Sequence, residues 1–504
     1  MPSPTPKQQL LLIVLATVCG TAATLSFAPM NWQATAPIAL GILFYWAARS
    51  DYIWHNFSLG LAFGFSFFSA GLWWIDSALA GHIGLPGSAA ALLTILFALF
   101  LAVFPALALA LATVLTPSGG ISRLLSLAAS WTFLEWIRSW LLSGFPWLSL
   151  GYSQIPDGWL APWAPIVGIF GVTFALTLMV VAVLTLLTLR KRRGIGLILL
   201  LLLASAPFIN NVWKWTPPAG TLTISLLQGN VKQSLKWEAE EVRRALADYI
   251  ELAEAAEGRI IIMPETALPM RIEDLPDGYI ERLQRIATER YGAVITGLFL
   301  EEEEKIYNAA VVLNERSDER YRKIHLTPYG EYLPFADVLQ PLLGAADIPY
   351  ANLSAGATPA PPLRLPDGIL AAIFICYEAI FGNEVRQRLP AALFLINITN
   401  DAWFDQTAMP QQHLQMAQAR ALESGRWLVR AANTGITAVI NAKGQVVATL
   451  PEQVRGVLTE QIILQSGSTP YVIWGDAAIV LLVLLILFAG ALGQFHLVPK
   501  RRGE

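Results

Sequence analysis

The sequence predicts two structures in one chain: a polytopic helical membrane domain and, near its end, a water-soluble α/β layered sandwich. Three observations predict it. The 504 residues are 55% hydrophobic and only 14% charged, with a mean hydropathy of +0.51, whereas soluble domains carry about 25% charged residues. The charges are also unevenly spread. Residues 1–211 hold eight Lys/Arg and four Asp/Glu and residues 471–504 three and two, which leaves 23 basic and 31 acidic residues in 212–470. Within that middle stretch, strand and helix patterns alternate, the mark of an α/β fold. The composition excludes disorder. Two cysteines, Cys19 and Cys376, exclude a disulfide scaffold, and a net charge of −3 gives no basic footprint for nucleic acid.

About 20 apolar residues in a helix cross the hydrocarbon core. Candidate spans are 8–26, 33–49, 54–75, 87–114, 121–144, 161–189, 194–211 and 472–494, about eight in all. Lys7, Arg49, Arg123, the run 190–193 and Lys500–Arg502 fall on one side, while the short loops 27–32, 77–86 and 145–160 contain no Lys or Arg. The positive-inside rule then predicts cytoplasmic termini and places 212–470 outside, on the periplasmic face of an inner membrane. Lys7 and the apolar run behind it imitate a signal peptide, but further spans follow directly, so an uncleaved helix is expected. Cys19 in Leu15–Cys19 only vaguely resembles a lipid-attachment motif, and a small core residue is the plainer reading.

A proline and aromatic linker, 213–220, leads into the α/β domain, 212–470. Leu222, Ile224 and Leu226 alternate with Thr223 and Ser225, which predicts a strand. Val242, Leu246, Ile250 and Ala253 fall at helical spacing within 237–257. A short buried strand at 258–263 stops at Pro264, and helix 278–290, strand 293–298 and strand 306–314 follow. After an irregular stretch come strands 369–375 and 392–398 with a helix between, then helix 410–424 ending at Gly425. Strands 427–432, 436–441 and 445–450 are expected to close the domain.

Reactive side chains follow the buried strands. Glu265 lies in Met263–Ala267, Cys376 opens Cys-Tyr377-Glu378, Lys323 sits in 321–326 and Glu331 in 327–332. A carboxylate, an ammonium and a thiol are the parts of an acyl-transfer site: the first takes the thiol proton, the second steadies an oxyanion, the third attacks. Each has a plain alternative. Cys376 equally suits a core cysteine, Glu265 a helix cap, Lys323 the charged surface of 316–323, and Glu331 an idle loop. A Cys-His pair using His325 or His413 is also open. Five histidines show no metal-ligand spacing, and GxGxxG, P-loop and GxSxG motifs are absent. Glu135 and Arg138, costly near the end of a span, should pair or face water, with structural pairing set against substrate contact.

The motifs join in one order: PETA at 264–267, K-x-H-L-x-P-Y-G-E-Y-x-P-F from Lys323, C-Y-E from Cys376 and N-I-T-N-D-A-W-F at 397–404. That wording resembles the carbon-nitrogen hydrolase (nitrilase) superfamily over roughly 222–465. The resemblance implies an αββα sandwich with Glu265 as general base, Lys323 as oxyanion cation, Cys376 as nucleophile and Glu331 in support. Tyr377 and Glu378 are implied to support the site too. With the spans around it, the chain resembles the apolipoprotein N-acyltransferase family in Glu135-Trp136-Ile137-Arg138, Gly144–Trp147, Gln228-Gly229-Asn230 leading to Trp237, and His413 with Arg420. Met263 and Tyr329 depart from that pattern, where Trp and Phe are common. The implied reaction moves an acyl chain from a membrane phospholipid, through a thioester on Cys376, to the α-amine of a lipoprotein's diacylglyceryl-cysteine, with no cofactor or metal. The rivals are a tethered amidase, for which so many spans are excessive, and a transporter with a solute-binding outer domain, for which the spans hold few ionisable groups. Residues 326–368 hold eight prolines and no period. A long apolar loop suggests a lid over 333–350, with Phe335, Leu339 and Leu342 meeting lipid, and the family resemblance implies Trp237 as a further substrate contact.

Overall fold

The computed structural model describes residues 5–81, 84–233, 236–314, 319–334, 352–404 and 406–497. Phe335, Leu339 and Leu342, and nearly all of the expected lid, lie outside them. The chain divides into two compact units: one of Met1–Ser77, Pro86–Lys214 and Trp474–Glu504, the other of Ala78–Leu85 and Trp215–Ile473.

The first unit is helical. Its helices up to residue 212 are α1 (Pro6–Ala23), α2 (Thr35–Ala47), α3 (Ile53–Gly71), α4 (Trp74–Gly81), whose chain runs into the second unit, α5 (Gly87–Leu115), α6 (Ile121–Arg138), α7 (Ala164–Thr188), α8 (Arg193–Leu203) and α9 (Ala206–Val212). Among the described residues, four stretches are long and apolar enough to cross a membrane: Pro6–Ser26, Gly87–Leu115, Ala161–Thr188 and Arg190–Val212. A fifth is added if α3 and α4, bent by 53°, count as one span. The expected eight are therefore not matched by this measure. α2 is only 13 residues long. α6 carries Arg123, Glu135 and Arg138 and ends well before residue 144, while the C-terminal apolar helix Ala477–Leu497 is 21 residues long, enough by length for a crossing.

Close helix packing here relies on small residues. A Cβ on Gly60 would lie 2.6 Å from both Ala106 Cα and Pro105 O, and one on Gly64 would lie 2.9 Å from Ala102 Cα. This small-xxx-small stripe lets α3 meet α5 backbone to backbone. The charges of α6 turn inward and are satisfied. Glu135 accepts hydrogen bonds from Trp131 Nε1 (3.0 Å), Leu150 N (3.1 Å) and Thr173 Oγ1 (2.9 Å). Arg138 donates to the carbonyls of Phe145 and Trp147 and to Ser149 Oγ. Arg123, fully buried, donates to Thr116 O and Ser50 O and pairs with Asp51.

The second unit contains two six-stranded sheets. The strands are β1 (Pro218–Gln228), β2 (Ile260–Ile262), β3 (Ala293–Glu302), β4 (Lys305–Leu313), β5 (Arg320–Arg322), β6 (Leu363–Arg364), β7 (Leu370–Ile375), β8 (Phe394–Thr399), β9 (Leu428–Ala432), β10 (Ala438–Ile440), β11 (Val446–Thr449) and β12 (Gly456–Gln465). One sheet runs β12-β1-β2-β3-β4-β5 and the other β11-β10-β9-β8-β7-β6. β1, β2 and β3 are parallel, as are β7, β8 and β9. Strand alternation builds the layers. Ile224, Ile260, Ile262, Ile295, Ile373, Ile375 and Ile396 meet in the core between the sheets.

The opposite faces take helices. Ile261 and Val294 pack under α10 (Ala239–Ala255) and α11 (Tyr279–Glu289) through Leu246, Ile250, Leu283 and Ile286. Phe374 and Leu395 pack against Ala417 and Ala421 of α12 (Met409–Ser424). Helix, sheet, sheet, helix is the αββα order. One expectation fails. The domain does not close at 445–450, because β12 follows and pairs antiparallel with β1 along its length. The helix between β7 and β8 is short: a 3-10 turn, Cys376–Ile380, leads into a four-residue helix, Gly382–Val385.

Candidate active site

Open parallel sheets place reachable side chains at the carboxyl ends of their strands. Glu265 follows β2, Lys323 follows β5, Cys376 follows β7 and Asp401 follows β8. Cys376 takes φ 51° where β7 turns into the 3-10 segment. A left-handed cysteine is a strained residue, and such strain gathers at functional sites. Thr266, just after Glu265, has φ 44°. Gly297 of β3 makes room for this turn, since a Cβ there would lie 2.6 Å from Pro264 O and 2.8 Å from Glu265 Cα.

Lys323, only 1% exposed, lies with its Nζ 2.8 Å from Glu331 Oε2 and 3.6 Å from Glu265 Oε1. Asn308 bridges both acids, donating to Glu265 Oε1 (2.7 Å) and Glu331 Oε1 (2.8 Å), while its carbonyl accepts from Lys323 N (2.8 Å). Glu265 Oε2 accepts from Asn400 N (2.8 Å), which ties the turn after β2 to the end of β8 in the other sheet. Burial alone would lower the pKa of Lys323, but the Glu331 and Glu265 carboxylates outweigh it and hold the ammonium charged. Glu331 is correspondingly held below the usual carboxylate range, with Lys323 opposing its burial.

Burial pushes the Cys376 thiol well above its ordinary pKa. Glu265 and Asp401 push the same way, and Lys323 and a hydrogen bond with Thr399 oppose them. The resting group is a thiol, so a thiolate must form by handing its proton to a neighbour. Glu265 and Lys323 are the charged groups that act on it most strongly.

Glu378 ties the parts together. Its Oε2 accepts from Ile375 N (2.6 Å), and its Oε1 from Ile324 N (2.7 Å), His325 N (3.1 Å) and Tyr321 OH (2.7 Å). One carboxyl thus joins the turn that carries Cys376 to the segment that carries Lys323. Tyr377 packs edge-on against Phe381 and His325. Trp237 is 57% exposed, with its ring 6.0 Å from that of Phe299.

His325 pairs with Glu384 at 2.7 Å. His413 Nε2 meets the Cys376 carbonyl at 3.1 Å; a carbonyl only accepts, so Nε2 carries the proton. Behind it, Asp401 lies between His413 Nδ1 (3.1 Å) and Arg430 Nη2 (2.6 Å). Arg430 holds Asp401 well below the usual carboxylate range against the pull of burial. Burial and Arg430 lower the pKa of His413. This histidine steadies the cysteine backbone. Arg420 pairs with Glu423 at 2.9 Å.

Asn308, Arg430 and Lys236 were not picked out from the sequence, and Asp401 entered only as one letter of the 397–404 motif, without a role. The available signal was a polar residue inside an apolar strand, as in Ile306–Leu313 and Leu428–Ala432. Lys236 offered none.

A thiol, carboxylate and ammonium at the strand ends of an αββα sandwich define a carbon-nitrogen hydrolase-type domain on a membrane-helical chain. Residues 223–469 match the carbon-nitrogen hydrolase family, and residues 19–184 match the apolipoprotein N-acyltransferase N-terminal domain. An apolipoprotein N-acyltransferase of Nitrosomonas europaea is 34% identical over 500 residues, covering 96% of this chain and 97% of the relative. One of Methylococcus capsulatus is 38% identical over 481 residues, covering 92% of each. Among solved structures, a CN-hydrolase superfamily protein of Xanthomonas campestris aligns at 18% identity, over 52% of this chain and 95% of that one, with a TM-score of 0.37. The chain belongs to the apolipoprotein N-acyltransferase family.

Proposed function

We propose that this protein transfers an acyl chain from a membrane phospholipid to the α-amine of the N-terminal diacylglyceryl-cysteine of lipoproteins, through a thioester on Cys376. The observation that carries the reading is the buried Glu265–Lys323–Glu331 cluster acting on a strained cysteine at a strand end. In the first half-reaction Glu265 takes the thiol proton as sulfur attacks the ester carbonyl carbon. The carbonyl oxygen becomes an oxyanion, and Lys323, an ammonium with three donors, offers it a hydrogen bond. Collapse breaks the C–O bond, and the lysophospholipid alkoxide leaves with the proton from Glu265. In the second half the acceptor amine attacks the thioester. Glu265 takes a proton from that nitrogen and returns it to the departing thiolate, so the cysteine is restored as a thiol. No metal or cofactor enters. Glu331, Glu378 and Tyr377 hold these groups in place, and Trp237 is a substrate contact at the rim.

The domain division belongs to the same proposal: helices over 1–211, the catalytic domain over 212–470 on the periplasmic side of the inner membrane, and a final crossing over 471–504 with both termini cytoplasmic. The basic residues of the short loops support it. Family membership favours neither the amidase nor the transporter reading. Detergent-solubilised protein given labelled phospholipid and no acceptor should accumulate a hydroxylamine-sensitive acyl group on Cys376. Steady hydrolysis without a trapped acyl-enzyme would overturn the transferase reading.

A further inference from the structure

A second lysine is buried beside this cluster, and no step above uses it. Lys236, in the segment between β1 and α10, is 3% exposed. Its Nζ donates to Thr266 Oγ1, the hydroxyl of the strained residue directly after Glu265. Its ammonium is attracted by both Glu265 and Cys376. Lys323 is committed between two carboxylates. Lys236 instead spends its hydrogen bond on a neutral hydroxyl, so its charge remains to act on Glu265 and the thiol.

From this placement we infer that Lys236 is a positioning residue of the reaction. It fixes the Glu265–Thr266 turn by its hydrogen bond and supplies the second positive charge that stabilises the Cys376 thiolate. The inference rests on Cys376 being the nucleophile. The groups that face the thiol are Glu265 from the turn after β2, Lys323 from the end of β5, Asp401 and the Thr399 hydroxyl from the end of β8, and His413 of α12 on its carbonyl. Glu265 and Asp401 oppose the thiolate and Lys323 favours it; the charge of Lys236 is drawn to the same sulfur. Burial lowers the pKa of Lys236 to about 8 against the pull of Glu265 and Cys376. Its charge, unlike that of Lys323, is thus lost within an accessible pH range.

The test is the rate of iodoacetamide labelling of Cys376 in the full-length protein in detergent, from pH 6 to pH 10. An opposite charge within about 4–6 Å commonly moves a pKa by about one unit or more. Lys236→Met should therefore label about tenfold more slowly than wild type below pH 8, and the gap should close above pH 8 as the wild-type lysine loses its proton. Lys236→Arg, which stays charged throughout, should match wild type below pH 8 and exceed it above. Thr266→Val removes the hydrogen bond but not the charge, so it should slow labelling without a pH-dependent gap. A gap between Lys236→Met and wild type that stays constant across the range would reduce the lysine to a structural prop. Equal rates would remove it from the site. Cys376→Ala, run alongside, sets the background from the other free cysteine, Cys19, and tests the parent reading separately: acyl-enzyme surviving in that variant overturns the nucleophile and, with it, this role of the lysine.

Discussion

Both units bury charge, and they satisfy it in different ways. In the helical unit Glu135 and Arg138 are closed off by backbone and hydroxyl groups: an indole N–H, a peptide N–H and a threonine on the acid, two carbonyls and a serine on the base. The two also attract each other, and opposite charges so matched leave little field beyond them, so each serves as a fastener. In the α/β unit charges are set against charges. Glu331 and Glu265 flank Lys323, and the leftover field falls on the Cys376 thiol. Burial of a charge marks a site only when its partners leave something unbalanced where a reactive atom sits.

The sharpest way to break this contrast is to remove the atom that receives the field. Cys376→Ala should abolish acyl-enzyme formation while the melting temperature stays near wild type, and Cys376→Ser should be nearly as inactive. Labelled acyl-enzyme in the alanine variant would end the assignment. Next come the field's sources. Glu265→Gln and Lys323→Met should each cost about 3 kcal/mol of activation free energy, roughly a hundredfold or more in the acylation rate. Rapid-quench labelling measures that step, and normal kinetics in either variant would return that residue to the ordinary core.

Much of this site was legible because its residues stand where buried strands stop. Glu265 and Cys376 each follow a run of apolar residues that fills both sides of a sheet, and those runs show in the sequence as strands. What was not legible depends on register or on contacts between sheets. Asn308 reaches both acids only because β4 pairs with β3 and β5 at this register. Asp401 and Arg430 meet because β8 and β9 are parallel neighbours. Lys236 lies in a segment with no period. β12 escaped notice because it is half-exposed along most of its length, so its alternation is blurred by Thr459, Glu460 and Gln461. The span bounds differ where hydropathy is blind to the backbone: Leu142 at φ 54° breaks a run that composition reads as continuous.

Glu378 tests whether the scaffold and the field can be separated inside the α/β unit. Glu378→Ala strands the N–H groups of Ile324, His325 and Ile375, all of which the carboxyl accepts. Losing the acceptor of buried donors costs about 1–3 kcal/mol each, so the melting temperature should fall clearly. Labelling of Cys376 should fall with it, because the Lys323 and Cys376 segments lose their common anchor. A large stability loss with unchanged labelling would show that the two segments are held together by the sheets alone.

The mildest effect is expected where a charge is only a fastener. Glu135→Gln keeps one acceptor oxygen but turns an amide N–H₂ toward Leu150 N, Trp131 Nε1 or Thr173 Oγ1. At least one donor then faces another donor. The cost should be about 1–3 kcal/mol, the penalty for an unsatisfied buried group, and it should appear as a lower melting temperature in detergent. The iodoacetamide labelling rate of Cys376 and its pH dependence should not move, because nothing in the Glu135 hydrogen bonds reaches the thiol. Loss of acyl transfer at unchanged stability would break the contrast outright: it would mean that the helical unit, too, carries a charge that acts on substrate.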